Sequence, residues 1–172
     1  LDPVESERGT TTALLRGVAY YLQKKGYSVG GFDACMSSQV PVGSGLSSSA
    51  SVEILLATIF NALYNDGRIP PLELAKAGQF AENEYFGKPC GLMDQIACAV
   101  GGIVAIDFKT PEAHGIETID YEFQSSGYQM VVVDTGGHHA HLTDQYAAIH
   151  LEMKQVARYF GRDVVRGLEQ ED

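Results

Sequence analysis

Apolar residues recur at helical spacing through much of the chain. Over residues 12–25, Leu14, Val18, Tyr21 and Leu22 share one face, which predicts a helix that Gly26 ends. A strand is expected over residues 29–40, broken by Pro41, Gly43 and Gly45. The period then turns helical again: Val52, Leu55, Leu56, Ile59, Phe60 and Leu63 recur in steps of three and four behind the polar Ser47, Ser48 and Ser49. Pro70 and Pro71 open a further helix reaching to about Phe86, with Leu74, Ala77, Ala81 and Tyr85 on one side. A shorter helix after Pro89 carries Met93, Ile96, Ala97 and Val100 and stops at Gly101 and Gly102. Three strand-like runs follow, over 103–108, 116–121 and 128–134. The continuous Met-Val-Val-Val of the last is expected to be buried on both faces. A final helix from about Thr143 is expected to turn Tyr146, Ile149, Met153, Val156, Ala157 and Phe160 to the core, ahead of a less regular acidic tail. Together these elements predict a mixed α/β domain with helices packed on a sheet.

Composition adds limits. The 172 residues are 45% hydrophobic and 20% charged, enough for one domain with a real core. The net charge of −10, with no cluster of Lys and Arg, argues against nucleic acid or an anionic membrane surface as a partner. Any phosphate held here must be neutralised locally, by a metal, by backbone N–H groups or by a few placed cations. The apolar runs are too short to span a bilayer, and the first residues do not have the character of a signal peptide. Cys35, Cys90 and Cys98 cannot all pair and lack metal-ligand spacing, so they are expected as buried thiols in a reducing compartment, the cytoplasm. The chain starts at Leu1, which suggests a processed or truncated piece.

The run Gly43, Ser44, Gly45, Leu46, Ser47, Ser48, Ser49 lies between the expected strand and helix. Glycines let the backbone turn tightly and approach a ligand, and a helix start presents free N–H donors and partial positive charge to an anion. Serine hydroxyls add donors for phosphate oxygens and an oxygen ligand for magnesium. A Walker loop would need Gly-Lys-Ser/Thr, yet no Lys or Arg occurs between Lys25 and Arg68; a dinucleotide fingerprint would need a glycine where Ser48 stands. A serine-rich helix cap after a turn would give the same run with no ligand at all. If the loop does hold a triphosphate, the missing lysine asks for magnesium, and magnesium asks for an acid nearby.

Two acids answer. Glu82 lies beside the apolar stripe in Ala81-Glu82-Asn83-Glu84-Tyr85, and Asp94 opens a helix in Cys90-Gly91-Leu92-Met93-Asp94-Gln95. Taken singly, each also reads as an ordinary helical acid, solvated or serving the helix dipole.

Together with the loop they match a pattern. Residues 41–53, with Gly43-Ser44-Gly45-Leu46-Ser47-Ser48-Ser49-Ala50-Ser51 at the centre, resemble the ATP motif of the GHMP kinases, and the triple serine followed by Ala-Ser is the form of the galactokinase branch. Pro89-Cys90-Gly91-Leu92-Met93-Asp94-Gln95 resembles the segment of that branch carrying its catalytic aspartate. The likeness runs from about Thr12 to Gly161 and implies an α+β fold of GHMP-kinase type, helices on a mixed β-sheet, here truncated. It implies that residues 1–110 are the C-terminal part of an ATP-binding N-terminal domain, and residues 111–172 the start of a C-terminal domain. Gly43, Ser44, Gly45, Leu46, Ser47, Ser48 and Ser49 would hold ATP phosphates, and Ser49 and Glu82 would ligate Mg2+. Asp94 would be the catalytic acid–base residue in contact with sugar, and Gly91 would line the sugar site. Tyr146 falls where the branch places a sugar-contacting tyrosine, though its helical phase suits a core tyrosine equally.

The implied activity is ATP-dependent phosphorylation of a sugar at its anomeric hydroxyl, with galactose giving galactose 1-phosphate and ADP. A GHMP kinase for another sugar or sugar derivative, a non-catalytic sugar sensor and a pure interaction domain are the alternatives. Two departures matter. The early motif, with the arginine that pairs with the aspartate in this family, and the late glycine-rich motif are both absent. The chain is therefore expected to be the central part of a longer one, inactive by itself and self-associating through its truncated face. The run Asp134-Thr135-Gly136-Gly137-His138-His139-Ala140-His141 also differs from the usual polar turn; it reads as a polar loop more readily than as a zinc site, since His138 and His139 are adjacent and no Cys is near.

Overall fold

The computed structural model describes residues 1–41, 45–110, 114–133 and 143–168. They fall into two compact units, one of Leu1–Gly101, and one that takes in Gly102–Val133 and the last helix. The stretch from Asp134 to His141, with the three histidines, lies outside the described residues, as do Gly43 and Ser44.

The first unit is helical. Helix α1, Thr11–Lys24, starts at Thr10, whose hydroxyl accepts from the Ala13 N–H. It ends where Gly26 takes φ +86°, with Tyr27 N–H returning to the Leu22 carbonyl and Gly26 N–H to that of Gln23. This is a Schellman closure, available to glycine because a positive φ is strained for other residues. Leu14, Val18 and Leu22 are buried along the expected face. Helix α2, Ser48–Tyr64, packs on α1 with Leu56, Ala57 and Phe60 in the shared core. Helix α3, Pro71–Phe80, runs on into a π turn, Ala81–Phe86, which Gly87 ends at φ +85°. Helix α4, Met93–Val100, packs on α3 and α2.

Helix α1 lies close against the π turn. A Cβ on Gly17 would lie 2.7 Å from Ala81 Cα and 2.8 Å from its Cβ, so the two backbones meet with nothing between them. Tyr20 stacks on Phe80 at 5.9 Å beside that contact. Buried Asn61 is satisfied on both sides, accepting from Ile69 N–H at 2.9 Å and donating to its carbonyl at 3.3 Å.

In α2 the buried face differs from the expected one. Ala50, Glu53, Ile54, Leu56, Ala57, Phe60 and Asn61 are inside, whereas Leu55 and Leu63 are 41% and 59% exposed. Small residues let this side of α2 approach its neighbours, and two polar residues enter with them. No strand forms over residues 29–40. Residues 28–32 instead lie along the end of α2, where Asn65 exchanges side-chain hydrogen bonds with the Ser28 backbone, Tyr64 donates its hydroxyl to the Gly31 carbonyl, and Phe32 meets Phe60 edge-on. Isolated extended chain with no ladder partner is not a strand, whatever its apolar content.

In the second unit, β1 (Ile103–Asp107) and β2 (Gly115–Ile119) pair antiparallel, from Ile103 opposite Ile119 to Asp107 opposite Gly115. These match two of the three expected strands. The third does not form over the described residues 128–133, and its burial is corrected: Met130, Val131, Val132 and Val133 are all exposed. Helix α5, Thr143–Tyr159, is present, but Ile149, Met153, Val156 and Phe160 are exposed and Ala157 alone of the expected core-facing residues with described side chains is buried. The described cysteines are unpaired as expected, yet Cys35 and Cys98 are exposed and Cys90 half-buried. Apolar pattern marks a face that can be buried; burial itself needs an opposing surface.

Candidate functional site

The N-terminus of α2 follows the glycine–serine run. Gly45 and Leu46 are exposed, and Ser47, Ser48 and Ser49 are half-buried. Ser47 sits at the cap position with φ 57° and ψ 42°, the left-handed region, which costs a side-chain-bearing residue on the order of 1 kcal/mol. Its carbonyl accepts from Ser51 N–H at 3.0 Å, starting the helix, but its hydroxyl makes no cap bond to the first turn. The first-turn amides of α2 thus receive nothing from the cap side chain, and the helix end keeps the donors and partial charge that suit an anion.

The Ser47 hydroxyl goes elsewhere. It donates to Asp94 Oδ2 at 2.6 Å, across 47 residues of sequence. Asp94 is in the first turn of α4 and half-buried. The fold therefore brings the serine loop and the acid of the second motif into direct contact. Gly91, just before α4, is exposed, and a Cβ there would meet nothing within 4 Å.

Behind this contact lies a buried polar cluster. Glu53, Glu82 and Gln95 are 0%, 2% and 1% exposed. The Gln95 amide nitrogen lies 3.0 Å from Glu53 Oε2 and 3.1 Å from Glu82 Oε2, so its two hydrogens serve one carboxylate each, with Cys90 Sγ at 3.5 Å. Lys88 Nζ donates to the other Glu82 oxygen at 3.0 Å. Burial, and then the Glu82 charge, push Glu53 up to about 8 against the opposing pull of Gln95. Burial pushes the Cys90 thiol up as well, so it stays protonated and unreactive at neutral pH. Burial would lower Lys88, but the Glu82 carboxylate outweighs it and raises the ammonium. Glu53 Oε1 and Gln95 Oε1 are buried with no hydrogen-bond partner.

The expected site residues are divided between the two units. Ser47, Ser48, Ser49, Glu82, Gly91 and Asp94 all belong to the first unit, with Ser47 on Asp94 and Glu82 tied through Gln95 to Glu53. Tyr146 is within α5, in the second unit, and its side chain is not among those described. Among the described residues no group of three or more His, Cys, Asp or Glu is arranged to hold a metal ion. A magnesium ion nevertheless fits the donors present. Ser49 stands one helical turn before Glu53 on the same side of α2, Glu53 carries an orphaned oxygen, and Glu82 supplies a second carboxylate. Glu53 and Gln95 escaped the sequence reading as site residues. The available signal was the line Ala50, Glu53, Ala57, Asn61, where small residues mark the side on which another element closes in.

Comparison with known proteins bears on the family and the fold. The family described as GHMP kinases N terminal domain matches residues 13–102, and the chain belongs to that family. The galactokinase of Clostridium tetani (strain Massachusetts / E88) is 50% identical over 86 residues, covering 50% of this chain and 22% of the relative. The galactokinase of Streptomyces coelicolor is 34% identical over 164 residues, covering 94% of this chain and 41% of the relative. The crystal structure of Lactococcus lactis galactokinase complexed with galactose superposes with a TM-score of 0.64 at 22% identity, over 93% of this chain and 42% of that one. This last likeness shows the fold, the α+β fold of these kinases in truncated form. The chain spans less than half the length of each of these relatives.

Proposed function

We propose that this chain is the phosphate-binding and acid–base portion of an ATP-dependent sugar kinase of galactokinase type, which phosphorylates the anomeric hydroxyl of galactose to give galactose 1-phosphate and ADP. The observation that carries the reading is the 2.6 Å contact between Ser47, at the N-terminus of α2, and Asp94, at that of α4. It sets an anion-accepting helix end beside a carboxylate, the two parts that transfer of a phosphoryl group to a hydroxyl needs side by side. The family match over residues 13–102 and the galactokinase relatives support the same reading.

In this proposal residues 1–110 complete the ATP-binding domain and residues 111–172 begin the next. Gly43, Ser44, Gly45, Leu46, Ser47, Ser48 and Ser49 cradle the phosphates, largely through backbone N–H groups. Asp94 takes or orients the proton of the sugar hydroxyl, Gly91 leaves room for the ring, and Tyr146 borders the sugar. Ser49 and Glu82 hold Mg2+, which neutralises phosphate charge in a segment with few cations. Among the described residues no helix is long and apolar enough to cross a membrane, and we place the enzyme in the cytoplasm.

The test is a sugar panel on the full-length protein with ATP. Galactose is expected to turn over, Asp94→Ala to lose at least about a hundredfold in kcat, and residues 1–172 alone to show none. Equal turnover by wild type and Asp94→Ala would remove the mechanism. Sugar and ATP binding without turnover would make the protein a sensor.

A further inference from the structure

We infer that the Ser47 hydroxyl is a positioning group for the Asp94 carboxylate and not a ligand of phosphate. The inference rests on the reading of Asp94 as the acid–base residue and refines the part played by one serine of the loop.

A serine hydroxyl has a single proton to give. Here it is given to Asp94 Oδ2 at 2.6 Å, within the short range typical of O–H donation to a carboxylate. The side chain is diverted from the role its position offers, since Ser47 occupies the cap of α2 and yet makes no side-chain cap bond. The backbone agrees with this diversion. Ser47 takes φ 57°, in the left-handed region, and it and Asp66 are the only described non-glycine residues with positive φ. A conformation that side chains rarely adopt is retained where it aims the hydroxyl away from the helix axis and at α4. The bond occupies one lone pair of Oδ2 and restrains the carboxylate, leaving Oδ1 for an incoming hydroxyl.

Glycine provides the decisive substitution. It deletes the hydroxyl at a position whose φ favours glycine, so loss of the bond is separated from loss of the fold. In the full-length protein, Ser47→Gly is expected to keep its thermal midpoint and its KM for ATP within about twofold, while kcat falls about 10- to 100-fold. Ser47→Asn tolerates the same φ and offers an N–H donor, so it is expected to recover much of that kcat. A direct readout is the 13Cγ chemical shift of Asp94 at fixed pH, expected to move in Ser47→Gly and to return toward wild type in Ser47→Asn. An unchanged kcat, or a raised KM for ATP with kcat intact, would overturn the inference while leaving the kinase reading in place. If the wild type proves unable to phosphorylate any sugar, the kinase reading fails, and an Asp94 signal that does not respond to Ser47→Gly overturns the positioning contact independently.

Discussion

Glu53 and Glu82 are two carboxylates on one amide, and that arrangement is the most consequential at the scale of single residues. Buried like charges cannot both ionise without cost, so the proton that Glu53 keeps is the natural result of its position. The sign of the pH effect follows. Between the ordinary value of 4.5 and about 8, the folded state holds a proton on Glu53 that the unfolded chain releases. Stability contributed by this group is therefore full below about 4.5 and declines as pH rises toward about 8. Denaturation midpoints measured from pH 5 to 9 in chelator-containing buffer are expected to fall with pH in the wild type, and less steeply in Glu53→Gln. At pH 9 the variant is expected to be the more stable by roughly 1–3 kcal/mol. An identical slope in both would show that Glu53 titrates normally. Ser47, Ser49, Glu82 and Asp94 are singled out in the sequence by the serine run and by the resemblance of its two motifs to a kinase family. Glu53 and Gln95 are not, because a helical acid and a helical amide become a buried pair only when another helix covers them.

Among the elements, the π turn is the one that apolar period did not foretell. The pattern over Pro70 to Phe86 describes a single helix, and the chain does run without a break, but the Gly87 and Lys88 amides both return to the Glu82 carbonyl. A wide turn rotates the side chains that follow it relative to a regular helix. It also brings Ala81 against Gly17, where α1 has no side chain to interpose. This contact gives a test at the same scale. Gly17→Ala places a Cβ 2.7 Å from a backbone atom, which nothing flexible can relieve. The gain in helix propensity, under about 1 kcal/mol, is expected to be outweighed by overpacking of about 1–3 kcal/mol. The net loss should appear as a lower denaturation midpoint, whereas an unchanged or higher midpoint would mean that α1 and the π turn separate freely. Strands behave differently from helices. Residues 29–40 and 128–133 carry the composition of strands yet form none, since a strand exists only through its partner's backbone, while a helix closes its own hydrogen bonds.

For the molecule as a whole, the exposed apolar surface of the second unit gives a test in solution. Tyr128, Met130, Val131, Val132 and Val133 are between 63% and 75% exposed where described, in a stretch without charge after Tyr128. Residues 1–172 alone are expected to self-associate, with the apparent mass in sedimentation rising with concentration and falling on Val132→Lys. A monomer at high concentration in both would count against it. What the sequence determined by itself is what is encoded locally: the helices with their glycine stops, the apolar runs that become β1 and β2, and the two motifs around the serine loop and Asp94. These depend on period, capping and backbone freedom among neighbours in the chain. Tertiary structure alone decided which face of α2 is inside, that two glutamates share one glutamine, and that the Ser47 hydroxyl serves Asp94 instead of capping its own helix. Those outcomes turn on the approach of segments tens of residues apart, which local pattern does not specify. The serine loop is thus written in the chain, while its connection to Asp94 is made by the packing of α2 on α4.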